Sequence, residues 1–247
     1  ARYSARRWQL RAQLRDPWGV SGGSPRLGRV VMVASSGGAQ ADGGGRRGAF
    51  VVFEGGDGAG KSTQVQLLVE ALVDRGVPVL RTRQPGGTPL GNALRDLVLH
   101  GDPMSARAEA LLYAADRAHH VTTKVRPALE AGSVVISDRY LDSSVAYQGA
   151  ARDLGPGEVR DLSLWATDGL LPDLTILLDA EPGLAERRRT ARGGKDRLER
   201  EPGGGFYFDA RFDIDWDSVF DLPTAVADCL KSIPGILIAV VAATLVV

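Results

Sequence analysis

The stretch Gly55-Gly56-Asp57-Gly58-Ala59-Gly60-Lys61-Ser62 fits the pattern G-x-x-x-x-G-K-[ST]. Each residue type has a chemical reason to be there. Glycines let successive backbone N–H groups turn toward phosphate oxygens. A helix that starts at the end of such a loop adds the positive end of its dipole. The Lys61 ammonium reaches β- and γ-phosphates, and the Ser62 hydroxyl is a ligand for Mg²⁺. Residues Gly55, Gly56, Asp57, Gly58, Ala59, Gly60, Lys61, Ser62 and Thr63 are therefore candidates to bind a nucleoside triphosphate. A second cluster follows at Asp138 and Arg139. Asp138 ends the apolar run Val134–Ser137, the strand-end position from which a carboxylate holds Mg²⁺ in a phosphate-loop fold. Arg139 offers a planar fork for phosphoryl oxygens. Phosphoryl transfer needs positioning and charge neutralisation more than covalent chemistry. Loop, acid and arginine together point to transfer of a terminal phosphate to a small acceptor. The bland readings are a glycine-rich turn without ligand, a solvated strand-end acid and a surface ion pair.

The elements that must position these groups are legible around them. Phe50–Phe53 is a short apolar run ending at the glycine-rich turn, which predicts a buried strand. Val65, Leu68, Val69 and Leu72 share one helix face, and Gly76 suits a C-cap. Val79–Arg83, Val134–Ile136 and Leu174–Leu178 read as further strands. Leu90, Leu94, Leu97 and Val98 suggest a helix, and Ser105 suits the N-cap of another through Leu111, Leu112 and Ala115. Strands alternating with helices predict a parallel sheet covered on both faces.

Composition divides the chain in three. Residues 1–48 carry a net charge of +7, residues 49–201 carry −3 and residues 202–247 carry −4, in a chain of 247 residues with no net charge. No global field therefore argues for nucleic acid or membrane. The first segment, rich in Arg, Gly and Ser, is expected to be flexible, because it has little apolar surface to offset ordering entropy. Val30–Ala34 is a short apolar run within it. The single cysteine, Cys229, excludes an internal disulfide framework and suits a reducing compartment, which implies the cytoplasm. His100, His119 and His120 have no metal-like spacing with acids or cysteines.

Several segments fit together: Phe53-Glu54-Gly55, Arg83–Thr88, Asp138-Arg139-Tyr140, Ser143–Gly149 and Asp196–Glu199. With the phosphate loop, they resemble thymidylate kinases over about residues 49–201. The resemblance implies an α/β fold with a doubly wound, mainly parallel sheet, helices on both faces and strand order 2-3-1-4-5, counted from Phe50. It implies phosphorylation of dTMP to dTDP with ATP and Mg²⁺ in dTTP biosynthesis, and a homodimer. By the same resemblance, Arg83 and Arg139 clamp the acceptor's phosphate. Tyr113 stacks on the thymine and Arg117 bonds a base carbonyl; the two lie four apart on one helix. Tyr147 packs on the deoxyribose, Ser144 and Gln148 contact the base edge, and Asp57 contacts the sugar 3′-OH. Residues 186–199 correspond to a lid carrying Arg187, Arg188, Arg189, Arg192 and Arg197. Some members of the family carry a catalytic Arg inside the phosphate loop, where this chain has Gly58 and Ala59. A cation from the lid must then act, with Arg192 the leading candidate. Asp196 and Glu199 match lid-end acids.

Two departures bear on that reading. Residue 84 is Gln where the family usually has Glu. From Pro202 onward the family's long helix is missing, and Ile236–Val247 is almost wholly apolar. Ile236–Val241 is expected to supply the fifth strand; otherwise the tail begins a membrane segment of a longer fused protein. Two alternatives stand beside the leading function. One is a kinase for another nucleoside monophosphate. The other is an inactive nucleotide-binding module with a membrane-tethered or regulatory role.

Overall fold

The structure, a computed structural model, describes residues 29–34, 47–180 and 182–192. Strand β1 is Arg29–Ala34 and β2 is Phe50–Gly55, followed by helix α1, Lys61–Val73. Then come β3 (Val79–Arg83), α2 (Pro89–His100), α3 (Ala106–His120), α4 (Arg126–Glu130) and β4 (Val134–Asp138). The chain ends its described course with α5 (Leu141–Ser144), α6 (Pro156–Ala166), β5 (Leu174–Asp179) and α7 (Pro182–Arg192). Wider π-type turns at Val121–Val125 and Val145–Ala150 extend α3 and α5. Ser105 caps α3 by accepting from the Ala108 N–H, and Thr88 caps α2 the same way from Gly91.

One sheet orders the strands β1-β5-β2-β4-β3. The four strands β2 to β5 run parallel, in the order the resemblance implies. Residues alternate between the two faces as strand geometry requires. Val51, Phe53, Ile136 and Ile176 pack with Val65, Leu68 and Leu72 of α1 on one side. Phe50, Val52 and Val135 pack with Val121, Val125, Leu129 and Tyr140 on the other. The sheet is thus wound on both faces.

The first strand corrects two expectations. Arg29–Ala34 lies in the segment expected to be flexible, yet it pairs antiparallel with all of β5, Arg29 opposite Asp179 and Ala34 opposite Leu174. The run Val30-Val31-Met32-Val33 has the β-branched content a strand favours, and β5 offers an open row of backbone donors and acceptors. The edge position assigned to Ile236–Val241 is therefore held by the N-terminal strand. The tail itself, like the rest of residues 1–28 and 35–46, lies outside the described residues. Where the body of the domain begins, Arg47 is paired with Asp173 at 3.1 Å, and Asp173 also accepts from the Phe50 N–H at 2.7 Å.

Candidate active site

The parallel register brings the chemistry to one end of the sheet. Asp138 at the end of β4 is opposite Phe53 on β2 and Arg83 on β3. The glycine-rich loop leaves β2 at the same level, the carboxyl end where ligands bind in open α/β sheets. Gly55 has φ 136°, and a Cβ there would sit 2.3 Å from the Leu178 carbonyl oxygen on β5. Gly58 has φ 84°, and a Cβ would sit 2.4 Å from the Ala185 carbonyl oxygen, so α7 rests directly on the loop.

Lys61 is buried at the start of α1. Its Nζ donates to the Gly55 and Gly56 carbonyls at 2.9 and 2.8 Å and lies 3.9 Å from Asp57 Oδ1. Burial, followed by the charge of Arg139, lowers its pKa to about 8, against the opposing pull of Asp57, Asp138 and Glu54. Ser62 Oγ donates to Asp138 Oδ2 at 2.8 Å. These two hard oxygens fit a divalent cation that takes one or two protein ligands and completes its shell from phosphate and water. Among the described residues no cluster of three or more His, Cys, Asp or Glu forms a separate metal site.

Arg139 joins the loop to the acceptor side. Its backbone has φ 70°, a sparsely populated region for a non-glycine residue. It is held there by its N–H on the Phe53 carbonyl and by the Ser137 hydroxyl on its own carbonyl, each at 2.8 Å. The guanidinium reaches Asp57 Oδ1 at 2.6 Å and Ser143 Oγ at 2.9 Å, and it lies 5.3 Å from the centre of the Tyr147 ring. Beneath it, the buried Glu54 carboxylate accepts from the N–H groups of Tyr140 and Ser143 and from the Ser143 hydroxyl. That carboxylate fixes the turn out of β4.

A cavity opens beside Arg139. Asp57, Tyr113, Arg117, Ser144, Tyr147 and Gln148 line it together with Arg95 and Gln84. Arg117 is fully buried. Its Nε donates to Gln84 Oε1 at 3.0 Å, Nη1 to Ser163 Oγ at 2.8 Å, and Nη2 to Ser144 Oγ at 2.7 Å and the Tyr140 carbonyl at 3.4 Å. Gln84 is oriented from behind. Its amide nitrogen bonds His120 Nδ1 at 2.7 Å, and His120 Nε2 bonds Thr82 Oγ1 at 2.6 Å. Burial lowers the His120 pKa to about 4, so the ring is neutral and accepts at Nδ1.

The fold thus brings together most of the residues singled out in the sequence. Arg83 is exposed at the end of β3 and is not among the residues lining the cavity. The sequence reading missed Arg95, which lines the cavity, donates to the Pro85 carbonyl at 3.1 Å and feels the charges of Arg83 and Arg139. Its only sequence signal is a cation on the otherwise apolar-patterned α2. Of the lid arginines whose side chains are described, Arg187 and Arg188, the second reaches the loop, its Nη1 3.5 Å from the Gly58 carbonyl oxygen. Arg192 is the last residue of α7, one turn further on. Its side chain, and Asp196, Arg197 and Glu199, lie outside the described residues.

Comparison with known proteins decides the lineage. A family model described as thymidylate kinase matches residues 53–203. This chain belongs to the thymidylate kinase family. A curated thymidylate kinase of Leifsonia xyli subsp. xyli is 64% identical over 159 residues, 63% of this chain and 75% of that relative. One from Clavibacter sepedonicus is 62% identical over 156 residues, 62% of this chain and 74% of the relative. The crystal structure of thymidylate kinase from Ehrlichia chaffeensis superposes with a TM-score of 0.53 at 35% identity, covering 57% of this chain and 82% of that one. The match to the thymidylate kinase model ends at 203, beside the Pro202 where the sequence leaves the family pattern.

Proposed function

We infer that the chain is a thymidylate kinase that transfers the γ-phosphoryl group of ATP to dTMP, giving ADP and dTDP. The observation that carries this is the 2.6 Å bond from Arg139 to Asp57. It ties the phosphate loop to the acceptor cavity, so donor and acceptor phosphates meet at Arg139. The assembled Lys61, Ser62 and Asp138 argue against an inactive module.

The roles follow from position. The loop N–H groups of Gly55–Thr63 and Lys61 hold the triphosphate of ATP. Ser62 and Asp138 would hold Mg²⁺, which when bound neutralises phosphate oxygens. Arg139 and Arg95 orient the phosphate of dTMP for attack, and Arg83, exposed beside Arg95 and outside the cavity lining, adds positive charge to that side. Arg117, Ser144 and Gln148 face the base, Tyr113 stacks on it, and Tyr147 with Asp57 borders the sugar. Arg188 and Arg192, four apart on α7, supply the cation that the loop's Gly58 and Ala59 cannot. Closure of the lid over ATP would exclude water and limit hydrolysis.

A homodimer working in the cytoplasm belongs to the same reading; the exposed Trp165 and Leu111 are apolar groups that such an interface would cover. Among the described residues no helix is long and apolar enough to cross a membrane. A coupled assay of ADP release with ATP, Mg²⁺ and a panel of nucleoside monophosphates tests the assignment. Highest kcat/KM for dTMP is expected, and preference for a purine monophosphate would refute it.

A further inference from the structure

Gln148 sits in the π-type turn Val145–Ala150 and lines the acceptor cavity while almost fully buried. Its Nε2 donates to Glu109 Oε1 at 2.8 Å. Glu109 lies in the first turn of α3, only 1% exposed, and its other oxygen accepts from Arg152 Nη2 at 3.1 Å. A carboxylate paired with a guanidinium only accepts hydrogen bonds. The direction of the Gln148 amide is therefore set by chemistry: the NH₂ end must face Glu109, which leaves the carbonyl for the cavity side. The reverse orientation would press a carbonyl oxygen against a buried carboxylate oxygen, two acceptors with no proton between them.

We propose that Glu109 and Arg152, neither of which lines the cavity, are positioning residues that fix the Gln148 amide as an acceptor and so select a pyrimidine carrying N3–H. The proposal rests on the thymidylate kinase reading and deepens it. Arg117 supplies the other half of the pattern. It only donates, and its bonds to Gln84, Ser144 and Ser163 hold it in place. The cavity edge then presents a donor at Arg117 beside an acceptor at Gln148. Thymine offers the complement, the O4 acceptor beside the N3–H donor. Cytosine offers the reverse, an N4 amino donor beside an N3 acceptor, and meets like groups at both points. A site built to pair polar groups rejects a ligand that leaves them unpaired far more strongly than an apolar pocket rejects a shape.

The test is the ratio of kcat/KM for dTMP to that for dCMP, measured on the full chain with ATP and Mg²⁺. In Glu109→Gln the new amide accepts from Arg152 and donates to Gln148, which turns its NH₂ toward the cavity. The ratio is expected to fall by about ten-fold or more, chiefly through KM, as dTMP weakens and dCMP gains. Arg152→Ala, at a partly exposed position, should move the ratio the same way by less, and Arg152→Lys should restore it; these two decide the matter if Glu109→Gln does not fold. An unchanged ratio, or equal losses on both substrates, overturns the proposal while leaving the kinase assignment standing. A wild-type chain without preference for dTMP over dCMP overturns both.

Discussion

Replacing Arg117 by Ala perturbs stability and substrate recognition together, and the structure gives the size of each effect. The side chain is 2% exposed, with four protein acceptors around its guanidinium and the Tyr140 ring centre 5.8 Å away. On truncation the Ser163 hydroxyl keeps its bond to the Val159 carbonyl, and the Ser144 hydroxyl is free to rotate. Gln84 Oε1 loses its donor, because the amide is pinned by His120. A buried acceptor left unpaired costs about 1–3 kcal/mol, and the lost cation–π contact about 1–2 kcal/mol. The expected loss is about 2–5 kcal/mol, a large share of the roughly 5–15 kcal/mol available to a single domain. Recognition loses a base contact worth about 1–3 kcal/mol, so KM for dTMP should rise by about 10- to 100-fold. Arg117 touches none of residues 55–63, so KM for ATP should stay near wild type. Arg117→Lys should recover little, since one ammonium cannot reproduce a fork spread over four acceptors. Urea unfolding and steady-state kinetics read the two effects separately. An Arg117→Ala protein with wild-type stability and wild-type KM for dTMP would contradict both the buried hub and the base contact assigned to Arg117.

Three further outcomes are expected. Lys61→Ala should lower kcat/KM by at least about 100-fold, since a contact of this kind is worth roughly 3 kcal/mol; because the Lys61 pKa is lowered to about 8, its charge is present below that value and lost above it, so KM for ATP in the wild type should climb as pH rises through 8. A KM for ATP that stays flat to high pH would contradict this. Arg188→Ala and Arg192→Ala should each lower kcat with little change in KM for ATP, and a loss of ATP affinity alone would make them binding residues. Removing residues 1–34 bares the edge of β5 and should lower the unfolding midpoint and promote aggregation, whereas removing Ile233–Val247 leaves β5 paired with β1; unchanged behaviour of the first deletion would contradict the role given to β1.

Periodicity and apolar runs were enough to place β2 to β5 and the helices that follow them, because each buries a face set by local spacing. Motif chemistry placed Lys61, Ser62 and Asp138, which local sequence carries to one sheet end. The edge strand was not legible in the same way. Val30–Ala34 is apolar, but its partner β5 lies more than a hundred residues away, and nothing local announces the pairing. Arg95, Glu109 and His120 were missed for a related reason. Each acts through a neighbour brought close only by folding: Pro85 and the charged cluster for Arg95, Gln148 for Glu109, Gln84 for His120. In Arg117 the sequence suggested a surface reaching the base, while the structure shows a buried hub that also ties α3 to α6 through Ser163.

Phosphoryl transfer to dTMP is assigned to the junction of loop and cavity. Incubating the chain with γ-³²P-labelled ATP, Mg²⁺ and dTMP, then separating the nucleotides, tests it most directly. Label should appear in dTDP and depend on Lys61 and Arg139. Label found only in inorganic phosphate, or remaining in ATP, would contradict it.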